Sequence, residues 1–215
     1  MNRVLRLWVT SLVCCVIATP VAIGAIDRPV AQYLSEHFVG SQAARALELP
    51  LRILRPIVFL AFVGLLTFGV RGASGRALST RVREFTVCAT ALVLSIGAEY
   101  ILKQLFGRGD PYPTYLVQHQ YGFDWWHAHD GYWSFPSGTA MGVFAIVGVL
   151  FVWRSRWIVG ATVLAAAICV AVTILNFHWV SDTVAGVFIG LTIGFASAWL
   201  VPIGETRSMS PILSE

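Results

Sequence analysis

Near residue 178 the chain reads "NFHWVSDTVAG", which sets His178 and Asp182 four positions apart. A carboxylate at that spacing can hold an imidazole in one tautomer and raise its nucleophilicity or basicity. An interfacial His beside a helix-capping Asp would give the same letters. Two further stretches hold groups a histidine nucleophile would need. "AEYILKQLFGRGDP" carries Glu99 and Lys103 one helical turn apart, a favourable orientation for an ion pair, with Arg108 and Asp110 just beyond. "SFPSGTAM" puts Pro136 at a helix start and leaves the amides of Ser137, Gly138 and Thr139 as unpaired donors, suited to an oxyanion or a phosphate. Taken singly, snorkelling cations and an ordinary helix cap explain these stretches as well.

Apolar runs must position these groups. The 215 residues are 57% hydrophobic and only 12% charged, with a mean hydropathy of +0.73, far from the quarter or so of charged residues in a soluble domain. We expect an all-α integral membrane bundle of six transmembrane helices, at roughly 7–25, 55–71, 85–103, 139–153, 158–177 and 183–201, in one domain over residues 1–215. The segment "DRPVAQYLSEHFVGSQAARALELPLR" sets Val30, Leu34, Phe38 and Val39 at helical spacing among charges, so an interfacial amphipathic segment should follow the first span. The first 25 residues resemble a signal peptide, but their apolar run is span-length and its loss would leave an odd number of spans, so a retained helix is expected.

The positive-inside rule orients the bundle with a cytoplasmic N-terminus. Short connectors then put Arg3, Arg6, Arg71, Arg76, Arg81, Arg83, Arg154, Arg156 and Arg207 inside. The ends of the third and fifth spans and the starts of the fourth and sixth share the outer face, and they carry Lys103, His178, Ser137 and Asp182. Polar groups at one level of several spans mark a site, because ionisable residues near hydrocarbon are costly without partners or a function. The excess of Arg is therefore topological, and no nucleic-acid partner is expected. Cys14, Cys15, Cys88 and Cys169 all fall in apolar runs and read as small hydrophobes.

Together the motifs resemble the membrane-bound type 2 phosphatidic acid phosphatase family, which shares its site with vanadium haloperoxidases. The family pattern runs Lys, six residues, Arg-Pro; then Pro-Ser-Gly-His; then Ser-Arg, five residues, His, three residues, Asp. Its most specific counterparts here are "FPSG" and "HWVSDTVAG". The resemblance implies His178 as a nucleophile carrying a phosphohistidine and Asp182 as its orienting partner. It also implies a phosphate cradle of Lys103, Arg108, Ser137, Gly138 and Thr139, and a lipid phosphate or polyprenyl diphosphate as substrate. No cofactor or metal is implied, and the expected setting is a bacterial inner membrane with the site facing the periplasm or exterior.

Three positions depart from the pattern. Asp110 stands where an Arg is expected, with Arg108 two residues earlier as a replacement, and Asp110 would then hold Arg108 or a substrate amine. Val172 stands at the third-motif Arg, and Thr139 at the His that protonates the leaving oxygen. Auxiliary candidates are Glu99, as partner of Lys103, and His127 and His129 on an aromatic loop, as substitute acids. Because a diphosphate leaves as an already stable anion, loss of a general acid favours phosphoanhydride substrates over phosphatidate. A degenerate relative that binds anionic head groups, or assists a transporter or synthase without turnover, is the alternative.

Overall fold

A computed structural model describes residues 3–52, 60, 63, 64, 80–127 and 129–200. Regular structure among them is helical: α1 (Arg3–Val21), α2 (Asp27–His37), α3 (Gln42–Arg52), α4 (Thr80–Phe106), α5 (Gly138–Val152), α6 (Ile158–Ile174) and α7 (Val180–Leu200). Three stretches are long and apolar enough to cross a membrane, namely Arg3–His37, Val82–Phe106 and Val180–Trp199, while Gly138–Val152 and Ile158–Ile174 are shorter apolar helices. The chain is an all-helical integral membrane protein. The run expected at 55–71 lies outside the described residues.

The interfacial segment begins differently from the expectation. A single π-helical turn, Ala22–Ile26, joins α1 to α2 without a break, so Asp27–His37 extends the first helix. Such a turn inserts one residue and rotates the helix beyond it, and it leaves Asp27 and Ala31 buried. After a turn at Gly40, Ser41 Oγ accepts the Ala44 amide at 3.1 Å and opens α3, whose Ala44 alone is buried.

Helix α7 is the centre of the bundle and packs against α1, α4 and α5. It meets α5 most closely because Gly186, Gly190 and Gly194 recur every four residues and so share one face. A Cβ at Gly186 would stand 2.6 Å from the Ser137 carbonyl, and one at Gly190 or Gly194 would overlap the carbonyl of Met141 or Ala145. From the other side, Trp8 Nε1 donates to Thr192 Oγ1 at 3.0 Å and docks α1 on α7. The core between α4, α5 and α7 is made of small residues: Ala91, Ala145, Val149 and Ala198 are at most 2% exposed.

Backbone contact of this kind leaves no room for overpacking, which costs about 1–3 kcal/mol or more in a closed interface. Gly190→Val should lower the unfolding temperature in detergent by about 5 °C or more. Gly160→Val is the control, since a Cβ there meets nothing within 4 Å, and its unfolding temperature should stay near wild type.

Candidate active site

His178 lies in the turn between α6 and α7, and backbone hydrogen bonds fix that turn. The carbonyl of Val172 accepts the amides of Phe177 (3.0 Å) and His178 (3.4 Å), and the amide of Ser137 donates to the Asp182 carbonyl at 3.1 Å. The start of α5 is thus tied to the first turn of α7. His178 Nδ1 stands 3.0 Å from the Ser134 carbonyl, and a carbonyl can only accept, so Nδ1 carries the proton and donates. Nε2 is left with its lone pair and has no hydrogen-bond partner among the described residues. The Asp182 carboxylate is 3.8 Å from Nδ1, so the Ser134 carbonyl makes the direct bond and Asp182 acts as a nearby charge.

Asp182 is fully buried and heavily bonded. Its Oδ2 accepts from Ser134 Oγ at 2.5 Å and from the Trp179 amide at 3.0 Å, while Oδ1 accepts from Arg108 Nη1. Arg108 is 1% exposed. Nη1 also donates to Ser181 Oγ at 2.5 Å, and Nη2 donates to Asp27 Oδ2 at 2.7 Å and to the Tyr121 hydroxyl at 3.1 Å. Burial works to lower the pKa of Arg108, but the carboxylates of Asp182 and Asp27 outweigh it and hold the guanidinium above its ordinary value. Asp27 completes the cluster by accepting the Ser181 amide at 3.0 Å and its hydroxyl at 2.5 Å.

Arg108, expected as the replacement cation of the phosphate cradle, is held at Asp27 and Asp182 in this structure. Its charge is consumed between two buried carboxylates, behind the walls of Tyr121, Phe123, Phe135 and Trp179. Asp110 does not hold it either. Lys103 is where the sequence suggested, paired with Glu99 at 2.7 Å and 12% exposed at its side chain. The Glu99 carboxylate lies against Gly138, where a Cβ would overlap it, so the pair reaches the start of α5.

The "SFPSG" cradle is smaller than expected. Ser137 caps α5 by accepting the Ala140 amide at 3.4 Å; it is fully buried and its own amide is used on Asp182. Pro136 precedes this cap and so stands outside the first turn. Gly138 and Thr139, both half-buried, keep the free amides of a first helical turn. Val172, at the position of the missing Arg, is buried at 2% and brings no charge.

The loop from Gly107 to Phe135 covers this end. Gly107 (φ 49°) approaches the Asp124 backbone so closely that a Cβ would overlap it. Backbone bonds from Gly109 to Gly122 (3.1 Å), Asp110 to Gly131 (2.7 Å) and Ser134 to Arg108 (3.1 Å) stitch the loop together. Asp110 is half-buried close to His178 and Lys103; burial raises its pKa, and those two neighbours only partly offset the rise. His127 and His129 are exposed, and His129 pairs with Asp124 at 3.4 Å, so neither is brought to His178.

A family model for the PAP2 superfamily matches residues 85–204. The chain belongs to the PAP2 superfamily. Among solved structures, it is similar to the first transmembrane PAP2 type phosphatidylglycerolphosphate phosphatase from Bacillus subtilis. The two share 16% identity and a TM-score of 0.53 over 93% of this chain and 96% of the other, which shows a common fold. No curated protein matches the chain. The resemblance carried by "FPSG" and "HWVSDTVAG" is thus borne out at the level of family and fold.

Residue pattern alone does not point to Asp27, Ser134 or Ser181. Asp27 has a signal, a lone carboxylate at the end of a long apolar run, but in sequence it reads as the start of a surface segment. Losing one partner of a buried ion pair typically costs about 3–5 kcal/mol, because the other charge is stranded. Asp27→Ala should therefore destabilise the protein, and combining it with Arg108→Met, which also strands Asp182, should cost less than the sum of the two single losses. A thermal-unfolding double-mutant cycle checks this, with a coupling of about 1–3 kcal/mol expected.

Proposed function

We propose that this PAP2 member is a membrane phosphohydrolase or phosphotransferase acting on lipid phosphates or diphosphates through a phosphohistidine at His178. The observation that carries the reading is the Nδ1 bond to the Ser134 carbonyl at 3.0 Å, which leaves Nε2 as a nucleophile. In the first step the Nε2 lone pair forms a bond to phosphorus, and the bond from phosphorus to the leaving oxygen breaks with its electron pair staying on that oxygen. In the second, the oxygen of water or another hydroxyl bonds to phosphorus and gives up its proton to solvent, while the P–N bond breaks and its electron pair returns to Nε2. The nearby Asp182 charge favours the cationic ring formed on the way.

Lys103 and the first-turn amides of Gly138 and Thr139 are the groups available to the non-bridging oxygens. With Thr139 at the acid position the motif's own proton donor to the departing oxygen is missing, which favours a phosphoanhydride, whose leaving group is stable unprotonated. The solved relative is named as acting on phosphatidylglycerolphosphate, and a lipid phosphate is the class we propose here. An outward-facing site is supported by the basic end of the bundle: Arg3 lies over the Phe151 ring at 4.5 Å, next to Arg154 and Arg156 and at the far end of α5 from Ser137.

The withdrawal of Arg108 and the charge of Asp110 favour a second reading, a protein that holds lipid head groups without turnover. Phosphate release in detergent from phosphatidate, phosphatidylglycerophosphate and undecaprenyl diphosphate separates the two. The phosphohydrolase reading expects release that is highest for the diphosphate and that His178→Ala abolishes. Absence of release from all three, with measurable binding, would establish the second reading.

A charged Asp110 opposes a purely anionic ligand. Because burial raises its pKa, protonation during a fall in pH removes this repulsion at a higher pH than for an ordinary aspartate. Affinity for orthovanadate, expressed as wild type relative to Asp110→Asn, should therefore rise as pH falls through that raised pKa and level off below it. Inhibition titrations of both proteins across the acidic range check this, with a flat ratio as the contrary result.

A further inference from the structure

The buried cluster behind His178 carries more negative charge than it needs to neutralise itself. Arg108 and Asp182 would close as a neutral pair, yet Asp27 brings a second carboxylate to the same guanidinium. The three side chains are at most 1% exposed, so two carboxylates against one guanidinium leave one negative charge unbalanced out of water. Such a charge is costly in a membrane protein, and its retention points to a function. Other cations do not cancel it: Arg28 is exposed with its guanidinium 5.2 Å from the Tyr121 ring centroid, and Lys103 is paired with Glu99 at 2.7 Å.

The two carboxylates divide Arg108 between them. Nη1 donates to Asp182 Oδ1 and Nη2 donates to Asp27 Oδ2. The other oxygen of Asp182, Oδ2, is the one that faces His178, 3.8 Å from Nδ1. Ser181 fixes Asp27 in this arrangement, donating its amide at 3.0 Å and its hydroxyl at 2.5 Å. Without the Asp27 charge, Arg108 would cancel that of Asp182 as felt at the imidazole.

We propose that Asp27, reaching in from the first helix, is a positioning residue for the chemistry of His178. By sharing Arg108 it leaves beside His178 the negative charge that stabilises the cationic ring during phosphoryl transfer. Its role in turnover rests on the phosphohistidine reading, whereas the charge it sets on His178 is measurable without turnover. Among the described residues, none of its hydrogen bonds goes to His178, Lys103, Gly138 or Thr139.

A neutral residue at position 27 disfavours the protonated imidazole, so His178 should titrate at lower pH. The carboxylates that act on this ring, Asp182 and Asp110, and the Lys103–Glu99 pair are the same in both proteins. The test is an NMR titration of full-length protein in detergent, labelled with 13C at histidine Cε1 and assigned with His178→Asn. From wild type to Asp27→Asn the His178 midpoint should fall by about one pH unit, the scale of one charge acting across a partly buried site. Asp27→Glu keeps the charge and should keep the midpoint. Ser181→Ala removes two of the cluster's hydrogen bonds and no charge, and should keep it too. Asp27→Ser replaces Asp27→Asn if the latter does not fold.

On undecaprenyl diphosphate, Asp27→Asn should lower kcat about tenfold with KM unchanged or lower, since no phosphate-facing group is lost. A midpoint that does not move, one that Ser181→Ala moves equally, or a kcat that stays at the wild-type value overturns the proposal. A midpoint that falls in a protein without turnover upholds the charge assignment, and the phosphohydrolase reading fails instead.

Discussion

Arg108 holds three parts of the molecule together. One guanidinium, 1% exposed, bonds Asp27 just past the π-turn, Ser181 and Asp182 at the start of α7, and Tyr121 in the covering loop. Burying a guanidinium is costly unless all its partners are present, so the first helix, the loop and the His178 turn are each required for the others to be stable. The proposed nucleophile is set by the same cluster. Ser134, whose carbonyl orients His178, gives its hydroxyl to the carboxylate that Arg108 holds.

This use of Arg108 has a chemical consequence. With Arg108 bonded to Asp27 and Asp182, Lys103 is the cation left near the proposed nucleophile, itself paired with Glu99. Phosphoryl transfer depends almost wholly on positioning and on stabilising charge at the non-bridging oxygens. One shared cation, two first-turn amides and a carboxylate at position 110 give a different charge balance from the one the family motif describes. Position 139 points the same way, since Thr139 supplies no proton at neutral pH.

Local rules carry much of this. The apolar runs give α4 to α7 to within a few residues, apart from an α4 that begins earlier, because a span-length apolar segment has few alternatives in a bilayer. The pairing of Glu99 with Lys103 comes from helical spacing, and the nearness of His178 to Asp182 from the motif. What spacing does not reveal depends on long-range geometry. The π-turn at Ala22–Ile26 that turns Asp27 inward leaves no local signature, and without it Asp27 reads as a surface residue. Arg108 reads as a phosphate ligand because its neighbours in sequence, not those in space, are visible. Gly186, Gly190 and Gly194 are legible as a period of four, but their role emerges only when the α5 carbonyls are seen against them.

His178 Nε2 is the atom proposed to take the phosphoryl group. Trapping the enzyme during turnover of a lipid diphosphate radiolabelled at its terminal phosphate, with alkaline denaturation to preserve phosphoramidates, tests it directly. The account predicts a base-stable, acid-labile label that maps to the peptide containing His178 and is absent from His178→Asn. Turnover without such a label, or a label on another residue, would contradict it.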